Sequence, residues 1–377
     1  MQVKIAALVN ILLFVSLVSQ GQTQASVSSL KLLGQCVVPY NFKYDGTTVG
    51  GLSGIDYDAQ KKCYYLISDD RSAVNPARFY TAKINFTPKG IDTVFFINVT
   101  TLKQKDGDIY PNSKQDPYHT PDPEALRYNP TTHQMIWSSE GERIVSPRDT
   151  VLENPAVTVI DTTGHYIDTF PLPAQLHMQA TENGPRQNGV FEGLAYADNY
   201  KTLYVSVEEP LYQDGPRAGL KDTSAWIRIL KYDAATKSIQ AQYAYHLDAV
   251  AYKPLLPNLF MINGISDILY AGNNKLLVME RSFSTGRMAC TIRVYMVDVG
   301  KAGDINAVAS LKQSPPTKPL EKHLLLNMDN LGIYVDNVEG MTFGSTLPNG
   351  HKTLLMVVDN NFSVLEKSQF FLFEVMP

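Results

Sequence analysis

Phe191-Glu192-Gly193-Leu194-Ala195, followed by Leu203-Tyr204-Val205-Ser206-Val207-Glu208-Glu209, is a short apolar strand opened by an acid and a second apolar strand closed by carboxylates. The same two-part phrase occurs five times. The other copies run from Gly51-Leu52-Ser53-Gly54-Ile55 to Ser68-Asp69-Asp70-Arg71, from Pro123-Glu124-Ala125-Leu126 to Ser139-Glu140, from Ile265-Ser266-Asp267-Ile268 to Met279-Glu280-Arg281, and from Val338-Glu339-Gly340-Met341 to Val358-Asp359-Asn360. The marker residues Ser53, Glu124, Glu192, Ser266 and Glu339 lie 71, 68, 74 and 73 residues apart. That period is too long for a two-element solenoid and fits four strands with generous loops, which is a propeller blade.

Working outward, each interval divides into strand-like runs bounded by turn residues. In the third, Trp226 to Tyr232 and Ile239 to Leu247 flank the turn Asp233-Ala234-Ala235-Thr236-Lys237; in the second, Ala156 to Ile160 turns at Asp161 into Tyr166 to Leu172. The fifth copy has only Gln369 to Val375 left after its two opening strands, while Leu30 to Val38 is unassigned at the other end. The expected fold is therefore all-β: a propeller of five four-stranded blades, closed by the N-terminal strand pairing into the C-terminal blade. A sixth blade would have to hide in Lys103 to Thr120 or Tyr212 to Thr223, which read as loops rich in Pro, Asp, Gly and Lys.

Met1 to Ala25 carries one early basic residue, Lys4, an uncharged apolar stretch from Ile5 to Val18, and small polar residues after it. This predicts a secretory signal peptide, residues 1–25, cleaved after Gly21 or Ala25. Residues 28–377 then form a single domain, secreted or periplasmic, with no later run long enough to span a membrane. The 33 basic and 37 acidic residues give a formal charge of -4, which leaves no basic face for nucleic acid. Three cysteines, Cys36, Cys63 and Cys290, lack metal-ligand spacing; a Cys36 to Cys63 bridge and three unreacted thiols are both compatible with export.

In a propeller the first strand of each blade lines the channel and the second runs back beside it. The start of one and the end of the other therefore meet at the same mouth. Ten positions converge there: Ser53 and Asp70, Glu124 and Glu140, Glu192 and Glu209, Ser266 and Glu280, Glu339 and Asp359. Asp69, Asp122, Glu208, Asp267 and Asp336 stand beside them. So many acids in a confined space require cations, basic partners or protons. Arg71 and Arg281 are the nearest basic residues, with Arg127, Arg143 and Arg186 further off. Oxygen-only clusters suit Ca²⁺, or Mg²⁺, better than a transition metal. The bland reading is that each acid merely accepts backbone N–H bonds from the next blade; it accounts for one ring of acids and not for a second. Ser53 lies in no Gly-x-Ser-x-Gly elbow, because Ile55 stands where the second glycine is wanted, so a serine triad has little support.

The phrases Gly51-Leu52-Ser53-Gly54-Ile55, Phe191-Glu192-Gly193-Leu194-Ala195, Leu277-Val278-Met279-Glu280-Arg281 and Asn337-Val338-Glu339-Gly340-Met341, in this order, resemble the phytase-like family of exported proteins, described by esterase-like activity of phytase. The resemblance covers roughly Leu33 to Val375 and implies a β-propeller hydrolase of ester or phosphoester bonds. The chain departs from the recurring Glu-Gly pair at Glu124-Ala125 and Ser266-Asp267. Together with the residues, this gives an expected site: Glu124, Glu192 and Glu339 catalytic, Arg71 and Arg281 holding the substrate anion, and Asp70, Glu140, Glu209, Glu280 and Asp359 holding metal. The expected partner is a small phosphorylated or ester substrate, met by a monomer. Two rivals use the same acids: a carboxylate-pair glycosidase that needs no metal, and a non-catalytic binding propeller with structural ion sites.

Overall fold

The computed structural model describes residues 27–222 and 224–377, so the expected leader lies outside the described residues. The strand β1 (Ser29–Val38) is followed by a small hairpin, β2 (Lys43–Tyr44) and β3 (Thr47–Thr48). Blade one is β4 (Leu52–Asp58), β5 (Cys63–Ser68), β6 (Arg78–Thr87) and β7 (Gly90–Thr101). Blade two opens with β8 (Pro123–Asn129) and β9 (Gln134–Ser139), sends out the hairpin β10 (Glu142–Val145) and β11 (Thr150–Glu153), and ends with β12 (Ala156–Asp161) and β13 (Tyr166–Thr169). Blade three is β14 (Phe191–Ala197), β15 (Thr202–Val207), β16 (Trp226–Asp233) and β17 (Ile239–His246). Blade four is β18 (Met261–Gly272), β19 (Lys275–Ser284), β20 (Thr291–Asp298) and β21 (Lys322–Asn327). Blade five is β22 (Asn337–Phe343), β23 (Thr353–Asp359), β24 (Ser368–Met376) and, as its outer strand, β1, which pairs antiparallel with β24 from Ser29↔Met376 to Val38↔Ser368.

The fold is thus the expected five-bladed propeller with N-terminal closure. Lys103 to Thr120 contains one isolated bridge, Lys103↔Ile109, so the six-bladed alternative falls away. The first two strands of a blade are apolar almost throughout because neighbouring blades cover both their faces; β5, β8 and β23 have no residue exposed. That is why they read as continuous apolar runs, without the alternation of a half-exposed strand. Five hydrophobic cores lie between successive blades. Closure is sealed by one of them, where Leu52, Leu66 and Tyr80 of blade one meet Leu355, Val357 and Phe370 of blade five. Residues 299–321 cross to blade three, where the N–H of Ile305 bonds Gln242 and that of Leu320 bonds Ala244, covering the exposed edge of β17. The three thiols are all free. Among the described residues no helix is long and apolar enough to cross a membrane.

Two features set the site. First, every innermost strand carries a β-bulge at its marker: the pairing slips between Leu52 and Gly54, Pro123 and Leu126, Phe191 and Gly193, Ile265 and Asp267, and Val338 and Gly340. A bulge leaves one residue without a partner and re-aims its side chain. The glycine that follows permits close packing of adjacent innermost strands; a Cβ on Gly193 would stand 2.7 Å from the Ile268 nitrogen of the next blade. Second, the channel is plugged. Arg127 donates to the carbonyls of Ile55, Leu194 and Ile268 and, through one terminal nitrogen, to both oxygens of Asp267 at 2.8 Å. Asp267 in turn accepts from the Met341 N–H. One buried ion pair therefore joins all five blades. Asp267, expected beside the mouth, lies at this plug, which explains why blade four departs from the Glu-Gly pair.

Candidate active site

Above the plug lies a cavity of about 650 Å³ lined by Asp69, Glu124, Glu192, Glu208, Arg281, Glu339 and Asp359, among others. The bulge residues Glu124, Glu192 and Glu339 all reach it, as expected. The second ring differs from expectation by one residue in three blades. The residue paired opposite the start of each bulge is Ser68, Ser139, Val207, Glu280 or Val358. The next residue in each case is Asp69, Glu140, Glu208, Arg281 or Asp359. Successive side chains of a strand point to opposite sides, so Asp69 faces the cavity and Asp70 does not, and the same holds for Glu208 against Glu209 and Arg281 against Glu280.

The residues left outside have other partners. Asp70 accepts the N–H groups of Ala73, Val74 and Asn75 and pairs with buried Arg78 at 2.7 Å. Glu280 accepts from the Tyr245 hydroxyl, Lys322, Asn263 and the Asp248 N–H. Glu209 pairs with Arg217 at 2.9 Å. Arg71, expected to hold the substrate, is bound to Glu142 at 2.6 Å, with Asp122 at 3.7 Å, and does not line the cavity. Arg186 and Arg143 lie against Tyr212.

Within the cavity the charges divide. Arg281 binds Glu208 at 2.8 Å, Glu339 at 3.0 Å and the Asn337 side chain at 2.6 Å. Burial opposes its charge, but Glu339, Glu208 and Glu192 outweigh that and hold the guanidinium firmly protonated. Glu339 is oriented by Arg281 and Asn337 through one oxygen, and its Oε2 has no hydrogen-bond partner. Two groups of acids have ligand atoms within 4.8 Å of one another: Asp69, Asp122 and Glu124, and Glu124, Glu140 and Glu192; of these, Asp122 and Glu140 do not line the cavity. Glu124 belongs to both. Glu140 takes the Val190 N–H on one oxygen, and its Oε2, like that of Glu192, is buried without a partner.

Burial first, and then the neighbouring negative charges, push the carboxyls of Asp69, Glu124, Glu140, Glu192 and Asp359 well above the carboxylate range. Asp122 is pushed up to about 6 by burial, against the pull of Arg71. Orphaned buried oxygens and an all-oxygen donor set fit a hard divalent cation. The bland reading holds for part of the set: Glu140 does accept a backbone N–H from the next blade, yet one oxygen on each of Glu140, Glu192 and Glu339 stays unused.

Comparison with curated protein sequences gives no match. Among solved structures the chain is similar to a periplasmic gluconolactonase of Pseudomonas aeruginosa (8% identity, 94% of each chain covered, TM-score 0.35). It is also similar to a xylan beta-1,4-xylosidase from Bacillus halodurans C-125 (10% identity, 85% of this chain and 52% of that one, TM-score 0.43), and to a GH43 beta-1,3-galactosidase (10% identity, 90% and 94%, TM-score 0.44). Residues 47–362, which carry all ten inward positions and the Arg127 plug, match the family model Phytase-like, esterase-like activity of phytase, and the chain belongs to that family.

Proposed function

We propose that the protein is an exported hydrolase of a phosphoester or related ester bond, acting at the acid cluster with Ca²⁺, or Mg²⁺ in its place, as cofactor. The observation that carries this reading is the pair of carboxylate triplets sharing Glu124 at the cavity, with buried oxygens of Glu140 and Glu192 left without donors. Asp69, Asp122, Glu124, Glu140 and Glu192 would hold the cation. When bound, it supplies a water of lowered pKa and offsets the negative charge of the acids facing an anionic substrate.

The chain's own residues do the rest. Glu339, fixed by Arg281 and Asn337 with Oε2 open, is placed to accept a proton from the attacking water. Arg281, whose Nε has no partner, offers a fixed positive charge to an oxyanion of the substrate. Asp359, on the same cavity, adds to the acid ring.

The test is hydrolysis of a chromogenic phosphate monoester and a chromogenic acetate ester by the purified protein, with Ca²⁺ or with chelator. Calcium-dependent turnover that is lost in Glu124→Gln is expected. Turnover untouched by chelation would replace this reading with acid and base catalysis by a carboxylate pair. Calcium binding without turnover of any ester would leave a binding propeller.

A further inference from the structure

The acids of the cavity come from blades one, two, three and five. Blade four has none: its bulge residue is Ser266, and its second-ring residue is Arg281. In their place blade four contributes height. Its strands β18 and β19 continue pairing past the bulge to Met261↔Ser284, about 13 Å of extra strand at 3.3 Å per residue. Residues two apart share a face, so Arg281 at the floor leads to Phe283 above it, and Ile262 stands beside them. All three line the cavity.

The wall continues into loops that leave large apolar side chains in water. Phe260 is 53% exposed, Met288 73% and Leu365 74%, and each also lines the cavity. The Phe260 and Phe283 rings are 6.3 Å apart, the Phe260 carbonyl accepts from Thr285, and Tyr334, which also lines the cavity, donates to the Met288 carbonyl. Leu255, 75% exposed, abuts Gly286 in the same rim. Large exposed apolar side chains on the lining of a polar site mark a binding surface. Arg281 and the acids lie at the floor and the apolar side chains in the rim above them, which sorts a ligand into two ends.

We propose that the substrate is a single-chain amphiphile, whose polar ester head meets the acid cluster and Arg281 while its alkyl or acyl chain lies along Ile262, Phe283, Phe260, Met288 and Leu365. This rests on the ester-hydrolase reading for the head group, and on the apolar wall alone for the chain. A polyanionic head such as a multiply phosphorylated polyol would meet Arg217, Arg281 and Arg287, which all line the cavity, but would leave the apolar side chains uncovered.

The probes are ethylphosphonate and octylphosphonate, which an ester hydrolase cannot cleave, and octan-1-ol, which lacks the anionic head. Binding to the Ca²⁺-loaded protein is measured by calorimetry, below the concentration at which the amphiphiles aggregate. A methylene fully buried on the wall raises affinity about fourfold, so octylphosphonate should bind at least tenfold tighter than ethylphosphonate. Phe260→Ser combined with Leu365→Ser, both at exposed positions, should erase most of that preference and leave Ca²⁺ binding in place. Octanol should bind the parent chain and not the variant. Equal binding of the two phosphonates, or a preference that survives in the variant, would overturn the proposal. If octanol binds as expected but neither phosphonate does, the wall stands and the head-group reading fails; if neither octanol nor octylphosphonate binds, the wall itself is refuted. Capture of neutral phospholipid vesicles by the parent and not by the variant would make the wall a membrane-docking surface instead and would likewise overturn the proposal.

Discussion

Replacing Glu192 with Gln separates a cation site from a structural peg by sign. The carboxyl has neighbours Glu124 and Glu140 with ligand atoms within 4.8 Å, and its Oε2 receives no hydrogen bond. Two unit charges at that distance repel by about 3.5 kcal/mol at an effective dielectric of about 20. The carboxyls of this cluster are pushed upward, so protonation relieves part of the repulsion, and removing the charge should stabilise the metal-free protein by about 1–2 kcal/mol. With Ca²⁺ at 100 times its dissociation constant, the parent should gain about 2.7 kcal/mol. The variant, one ligand short, should gain much less. The two proteins therefore exchange rank: the Glu192→Gln variant is the more stable form in chelator and the less stable in Ca²⁺. Thermal or urea unfolding in both conditions reads this directly. If the variant is destabilised equally in both, Glu192 is a peg holding its neighbours, and the reasoning from the unpartnered oxygen is wrong.

Three further outcomes are expected. The carboxyls of Glu124, Glu140 and Glu192 titrate higher in the folded chain than in the unfolded one, so the folded state binds more protons between those values. Metal-free stability should then be greatest near the unfolded carboxyl pKa of about 4.3 and fall as pH rises, the Asp122 contribution being lost by about 6; saturating Ca²⁺ should flatten the slope, and a metal-free curve that rises over this range would contradict the charge assignment. Arg127→Leu leaves Asp267 buried without its partner and should cost about 3–5 kcal/mol, seen as a lower unfolding midpoint; a loss below about 1 kcal/mol would show that the plug does not join the blades. Asp70→Asn should lose about 1.5–3 kcal/mol from its bonds to Arg78 and three N–H groups while keeping Ca²⁺ affinity, and weakened Ca²⁺ binding would return Asp70 to the metal set.

The fold was legible because duplication wrote it five times, and the blade-closing strand was legible because Leu30 to Val38 had no other place. The site was legible as a mouth and as a set of bulge residues, but not in its second ring. Asp69-Asp70 and Glu208-Glu209 are tandem acids, and parity alone decides which one enters the cavity. Parity depends on the bulge, which shifts pairing on the first strand and is invisible in either strand by itself. Counting outward from the residue opposite the bulge in all five copies would have selected Asp69, Glu140, Glu208, Arg281 and Asp359 together. Arg127 had no local signal, since its partners Ile55, Leu194 and Asp267 come from three other blades. The apolar wall was hidden for a similar reason: Leu255 to Phe260 has no strand alternation and acquires meaning only beside Phe283, Met288 and Leu365.

The most direct measurement is Ca²⁺ binding to the metal-stripped protein by calorimetry, in buffers of different ionisation enthalpy, for the parent chain and for Glu124→Gln. Because Glu124 belongs to both carboxylate triplets, and because burial and mutual repulsion push these carboxyls upward, the expected result is binding that releases protons in the parent and is largely abolished in the variant. Absence of binding in the folded parent, or binding that survives unchanged in Glu124→Gln, would contradict the assignment of this mouth as a cation-dependent site.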